Sequence, residues 1–175
     1  IVTNPDITLI DKVQPVITLV DPTSPSNCGV NDGEIEITAT GVSLEYSIDG
    51  GLTWQPSGMF TGLVGGTYDV RVRNVTGNCE VTGAATTIDA PTPTNISNVA
   101  KVDPTNCGVS DGTITITATG GTLEYSIDGG TNWSLSNMFT GLAAGTYNIA
   151  VRNVEGTCFL LYPSNPVILS TPTSP

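Results

Sequence analysis

Four cysteines, Cys28, Cys79, Cys107 and Cys158, are the side chains of this 175-residue sequence best placed to do covalent chemistry. They form two pairs of equal spacing, Cys28 with Cys79 and Cys107 with Cys158, each 51 residues apart. Zinc sites draw ligands from closely spaced Cys and His, and this sequence has no histidine and no C-x-x-C. One disulfide per pair is the natural reading, with four buried thiols in a reducing compartment as the alternative. Closing a loop of that size would stabilise the fold by roughly 4 kcal/mol in the chain-entropy model.

Other chemistry finds less support. Without histidine there can be no Ser-His-Asp or Cys-His site. Glu34 and Glu36 could act as a carboxylate pair on a glycoside, but Thr113 and Thr115 stand at the same places 79 residues on. No catalytic residue is therefore assigned, and no enzyme is expected. Asp21, Asp32 and Asp49 recur as Asp103, Asp111 and Asp128, and carboxylates suit calcium. Yet Asp32 precedes Gly33 and Asp49 precedes Gly50, where Asp simply favours a turn. No metal ligand or cofactor is assigned, and calcium is the one ion the pattern leaves open. Tyr46, Phe60 and Tyr68, with Tyr125, Phe139 and Tyr147, alternate with apolar neighbours and belong to a core. Trp54 and Trp133 are the aromatics expected at the surface, where a sugar could stack. Lys12 and Lys101, the only lysines, occupy non-equivalent places, which argues against a Lys–Asn cross-link in each module. The N-x-S/T triplets at Asn74, Asn95 and Asn132 do not recur between the halves and are read as chance.

The elements that must position these residues are written twice. Residues 28–79 shifted by 79 fall on 107–158 without a gap, and 35 of the 52 positions are identical. Fixed-period self-similarity marks an array. Within a copy, Ile35, Ile37 and Ala39 alternate with polar residues, as do Leu44, Tyr46 and Ile48, and Tyr68, Val70 and Val72. That is the period of a strand with one face in a core. Asp49-Gly50-Gly51 signals a hairpin between Ile48 and Trp54. Val16–Val20 is a further strand, expected to end at Asp21-Pro22-Thr23, and Pro91 and Pro93 stop the last one. No helical periodicity persists. The expected fold is all-β: tandem immunoglobulin-like β-sandwich modules of about 79 residues, six or seven strands and one disulfide each. The expected divisions are 1–12, the terminal strand of a preceding module; 13–91 and 92–170, the two modules; and 171–175, the start of a next linker.

Composition narrows the partners. The net charge is −11, from 16 acidic and 5 basic side chains, which disfavours nucleic acid and anionic lipid. No apolar run is long enough for a membrane-spanning helix. Pro-rich joints act as semi-rigid spacers.

The pattern Cys…Asp-Gly…Ile…Tyr-Ser-Ile-Asp-Gly-Gly…Trp…Phe-Thr-Gly-Leu…Gly-Thr-Tyr…Val…Cys, over 28–79 and again over 107–158, resembles the SprB-type repeat. Such repeats occur in very large surface adhesins of gliding bacteria of the Bacteroidetes group. The resemblance implies an extracellular, cell-surface protein, outer-membrane-anchored or secreted by the type IX route. It implies adhesion during gliding motility, with many modules in one filament, and no catalytic residue to carry over. Val42, where the second copy has Gly121, departs mildly from the pattern. The leading expectation is a structural and adhesive segment of a long filament or adhesin. Its partners would be neighbouring modules or copies of itself, and surface polysaccharide. The alternatives are a discrete subunit that polymerises by strand complementation through residues 1–12, and a carbohydrate-binding accessory module.

Overall fold

The computed structural model describes residues 13–75 and 79–171, and every element in it is a β-strand. Residues 1–12 and 172–175 lie outside the described residues, and with them the terminal strand, its strand-complementation role and most of the next linker.

Among the described residues the first unit carries eight strands, where six or seven are expected. They are β1 (Val16–Thr23), β2 (Gly33–Thr40), β3 (Leu44–Ser47), β4 (Met59–Leu63), β5 (Gly66–Tyr68), β6 (Arg71–Asn74), β7 (Glu80–Thr82) and β8 (Thr86–Ile88). One sheet has the order β1-β2-β4, a second β3-β6-β7, and β5 pairs with β8. All of these pairings are antiparallel. The two three-stranded sheets reproduce the A-B-E and C-F-G sets of an immunoglobulin-like sandwich. The extra pair arises because the run through Tyr68 and Val72 is divided into β5 and β6, and the run after Cys79 into β7 and β8, with β5 and β8 pairing apart from the other two.

The second unit repeats this order. Its strands are β9 (Asn95–Val102), β10 (Gly112–Thr119), β11 (Leu123–Ser126), β12 (Met138–Leu142), β13 (Gly145–Tyr147), β14 (Ala150–Asn153), β15 (Leu160–Leu161) and β16 (Val167–Leu169). They pair as β12-β10-β9, β11-β14-β15 and β13-β16.

Alternation builds each core. Ile35 and Ile37 of β2 point inward onto Val70, Val72 and Ile88, while Glu34, Glu36 and Thr38 face outward. Ala39, Leu44, Tyr46, Ile48, Phe60 and Tyr68 pack around that cluster. The second core is Ile114, Ile116, Ile149, Val151 and Leu169, with Tyr125, Phe139 and Tyr147 against it. The six expected core aromatics are thus all core residues. In β1, Ile17 and Val20 both pack inward although they are three apart. A bulge between Ile17 and Leu19 supplies the odd residue, and the Thr18 hydroxyl donates to the Thr38 carbonyl there (3.1 Å). Ile96 and Val99 repeat the arrangement, with Ser97 donating to Thr117 (3.1 Å). β1 also runs on through Pro22 to Thr23 rather than ending there. As an edge strand it tolerates a residue with no N–H to give.

The division of the chain corrects the disulfide pairing. The first unit ends at Ala90 and the second begins at Pro91, but Asn27–Gly29, from the loop between β1 and β2, belongs to the second unit. Cys28 is accordingly bonded to Cys158, not to Cys79, so Cys107 is not bonded to Cys158 either. The expectation of one staple inside each module fails because the Cys28 loop packs with the unit that follows it.

Two outcomes follow from this architecture. Ile35→Ala should destabilise the first unit by about 2–5 kcal/mol in urea unfolding, through the cavity it leaves. Glu36→Ala, one residue on but outward, should stay within about 0.5 kcal/mol. When the oxidised chain is pulled from its ends, the segment between the bonded cysteines, which are 130 positions apart, should remain unextended. Reductant should then release roughly 450 Å of contour, at about 3.4 Å per residue.

Candidate functional site

The most elaborate polar structure in each unit grows from the end of β3 and its twin β11. Ser47 is buried at that end, so its hydroxyl must find partners inside the protein. Its Oγ donates to Asp49 Oδ1 (2.7 Å) and accepts from the N–H groups of Gly51 (2.9 Å) and Asp49 (3.3 Å). The carboxylate of Asp49 in turn accepts from Thr53 N–H (2.9 Å to Oδ1) and from the Thr53 hydroxyl. The loop closes because Gly50 and Gly51 sit at φ 73° and 87°, a region that costs glycine little. Only one bridge, Tyr46 with Gln55, follows the turn. The chain then leaves β3, gives the Gly58 carbonyl to Ile37 N–H (2.8 Å), and enters β4 beside β2. The expected hairpin is therefore a corner between the two sheets.

Above the corner lies a stack. Trp54 donates its indole N–H to the Gly51 carbonyl (2.8 Å). The Arg73 guanidinium covers the ring at 4.1 Å from its centroid, a cation–π contact. Glu45, directly across from Arg73 in the β3–β6 register, accepts from Arg73 at 2.8 Å.

The second unit rebuilds the assembly. Ser126 and Asp128 repeat the buried hydroxyl and its acceptor (2.7 Å), and Asn132 replaces Thr53, giving Asp128 its N–H (2.9 Å) and side-chain amide (2.6 Å). Arg152 lies 4.2 Å over Trp133 and pairs with Glu124 at 2.9 Å. Phe159 adds an edge contact to Trp133, with centroids 6.0 Å apart. In the first unit the place of Phe159 is held by Glu80, which pairs with Arg71 at 2.9 Å.

The donors set the acidity of these carboxyls. Hydrogen bonds from the side chain and then the backbone of Thr53 hold Asp49 down to about 2, and those from the backbone and then the side chain of Asn132 hold Asp128 to about 2. Asp32 and Asp111 are lowered by Ser26 and Thr105, and Asp103 by the backbone of Ser170 and then Lys101. The turn aspartates are thus occupied by protein donors. Among the described residues no group of three or more His, Cys, Asp or Glu is placed to hold a metal ion. Glu34 and Glu36 stand on the outer face of β2. Trp54 and Trp133, expected as exposed platforms, are half-buried and each has one face under a guanidinium. The arginines covering them gave no local signal in sequence, since they arrive from β6 and β14. The turn itself is written in the local sequence Ser47-x-Asp49-x-Gly51-x-Thr53-Trp54, beyond the Asp-Gly-Gly hairpin signal alone.

A family model for the BNR/Asp-box repeat matches residues 45–56 and 124–135, the two corners just described. Among solved structures, the chain is similar to the C-terminal 282-residue fragment of intimin, solved in complex with the intimin-binding domain of the translocated intimin receptor. Identity there is 17% and the TM-score 0.45, over 90% of this chain and 64% of that one, so the chain spans less than two thirds of that fragment. No curated protein matches this chain.

Acid should test the corners. A carboxyl whose folded pKa is depressed contributes stability above its ordinary value and loses it as pH falls through the folded one. Between pH 3.8 and about 2, thermal stability should therefore drop as Asp49 and Asp128 are protonated. The double variant Asp49→Asn/Asp128→Asn, less stable at neutral pH, should show a flatter decline over that interval by calorimetry.

Proposed function

We propose that this chain is a structural and adhesive segment of a long extracellular filament or adhesin at the cell surface, and that it is not an enzyme. The observation that carries the reading is the gapless duplication of a whole module, strand for strand and corner for corner. An enzyme needs one constellation that is reactive. Here the most polar cluster of each unit is internally paired and occurs twice, as expected of an element that holds shape. The acidic surface keeps such modules from associating with one another or with anionic polymer without specificity. The resemblance to the SprB-type repeat supports the same placement. Adhesion in such a filament comes from many weak contacts, with avidity from multiplicity. Its partners are neighbouring modules and copies of itself, with surface polysaccharide as the substrate of attachment.

Beads coated at equal density with this chain, or with a tandem fusion of two copies, test the adhesive half. Retention under flow on a polysaccharide film should exceed that of albumin-coated beads. Doubling the modules should raise it more than twofold. Retention no greater than that of albumin would remove adhesion from the reading.

A further inference from the structure

The two units part just past the ends of β7 and β15. Position 83 is glycine, and its counterpart 79 residues on, position 162, is tyrosine. Both residues make the same backbone bond. Gly83 N–H donates to the Val70 carbonyl (2.9 Å), and Tyr162 N–H donates to the Ile149 carbonyl (3.0 Å). Val70 and Ile149 are themselves counterparts, each fully buried in its core. The backbone therefore holds positions 83 and 162 at the same place on their two cores.

Only the side chain differs there. Tyr162 is half-buried and packs against the cluster of Ile114, Ile116, Ile149, Val151 and Leu169. Gly83 offers nothing, and the first unit has a cavity of about 440 Å³ between Gln14–Ile17 and Val81–Ala84. All of these residues belong to the first unit. Pro15 is fully buried in the wall, and Ile17 and Val81 pack on the core behind it. A Cβ at position 83 would stand 3.2 Å from both Ile17 Cδ1 and Val70 Cγ1, so the glycine faces the core directly. Gln14 and Thr82 bring an amide and a hydroxyl to the otherwise apolar lining.

The size suits a ligand. An apolar cavity of roughly 150 Å³ already takes benzene, and small-molecule pockets run from about 300 to 1,000 Å³. The second unit shows which shape fits, because it fills the same place with a phenol ring of its own.

We propose that the Gly83 cavity is a binding site for a neutral phenolic ligand, whose ring takes the place that Tyr162 fills in the second unit. Apolar walls supply the dispersion contacts that the missing side chain forgoes, and the few polar groups fix the ring's orientation. The volume beyond one ring leaves room for ring substituents. A net charge of −11 disfavours an anionic aromatic. The site is independent of the filament reading, since it needs only one unit of one chain.

The test uses p-cresol, the tyrosine side chain as a free molecule, titrated into the full chain and followed by calorimetry and backbone amide NMR. The expected result is saturable binding of one p-cresol per chain. Amide shifts should gather at Ile17, Val81, Gly83 and Ala84 and leave Ile96, Leu160 and Tyr162 unmoved. Gly83→Tyr fills the cavity from within and should weaken binding by about tenfold or more. Tyr162→Gly should open the twin site and raise the capacity from one ring to two. Absence of saturation in the wild-type chain overturns the proposal, as do shifts spread evenly over both units. So does a folded Gly83→Tyr chain that binds as the wild type does, or a folded Tyr162→Gly chain whose capacity stays at one. Where a variant fails to fold, the shift map of the wild-type chain decides alone.

Discussion

A chain that passes from one sheet of a sandwich to the other must turn through its own backbone without stranding polar groups in the core. Here one buried hydroxyl solves that problem. Ser47 closes the corner by accepting hydrogen bonds from two backbone N–H groups and donating one from its hydroxyl to Asp49. The carboxylate then collects the donors of Thr53, so each group in the turn satisfies another. Leaving a buried donor unpaired would cost about 1–3 kcal/mol, which explains why the corner is built from several mutually dependent bonds. The return through Gln55 and Gly58 to β4 depends on this corner. Through it β2 gains its second neighbour, and the core of Ile35, Ile37, Val70 and Val72 gains its lid.

What varies between the two copies marks what the corner does not constrain. Arg71 and Glu80 form an ion pair in one unit, while Ala150 and Phe159 hold those places in the other. Phe159 there turns its edge to Trp133. Gly83 donates to the Val70 carbonyl and borders a cavity of about 440 Å³ between Gln14–Ile17 and Val81–Ala84. Tyr162 makes the equivalent bond to Ile149 and packs its ring on the second core. Thr53 and Asn132 give the same carboxylate the same two kinds of donor from different side chains. The outer layer is thus exchangeable, provided the Ser–Asp corner and the inward β-branched residues stay.

The legibility of the sequence follows from the same division. Residues whose role is set by local spacing could be read: the alternation of Ile35, Ile37 and Ala39, the turn at Asp49-Gly50-Gly51, and the inward aromatics. Residues whose role depends on a distant strand could not. Arg73 reaches Trp54 only because β6 lies beside β3, and nothing near Trp54 announces it. The bulge that turns both Ile17 and Val20 inward is likewise a property of the β1–β2 pair, not of either strand. The cysteines show the sharpest case. Equal spacing favoured pairs within a copy, yet every first cysteine has as many second cysteines to choose from as there are copies. Spacing alone cannot select among them, whereas the placement of Asn27–Gly29 in the second unit does.

That selection changes what a disulfide can do for such a chain. A bond within one module would restrict that module's unfolded ensemble and nothing else. A bond from Cys28 to Cys158 instead gives tension along the chain a covalent route from residue 28 to residue 158, bypassing all that lies between. Strands β2 to β14 fall in the bypassed interval, so the core hydrogen bonds and the corners at Asp49 and Asp128 carry none of the load.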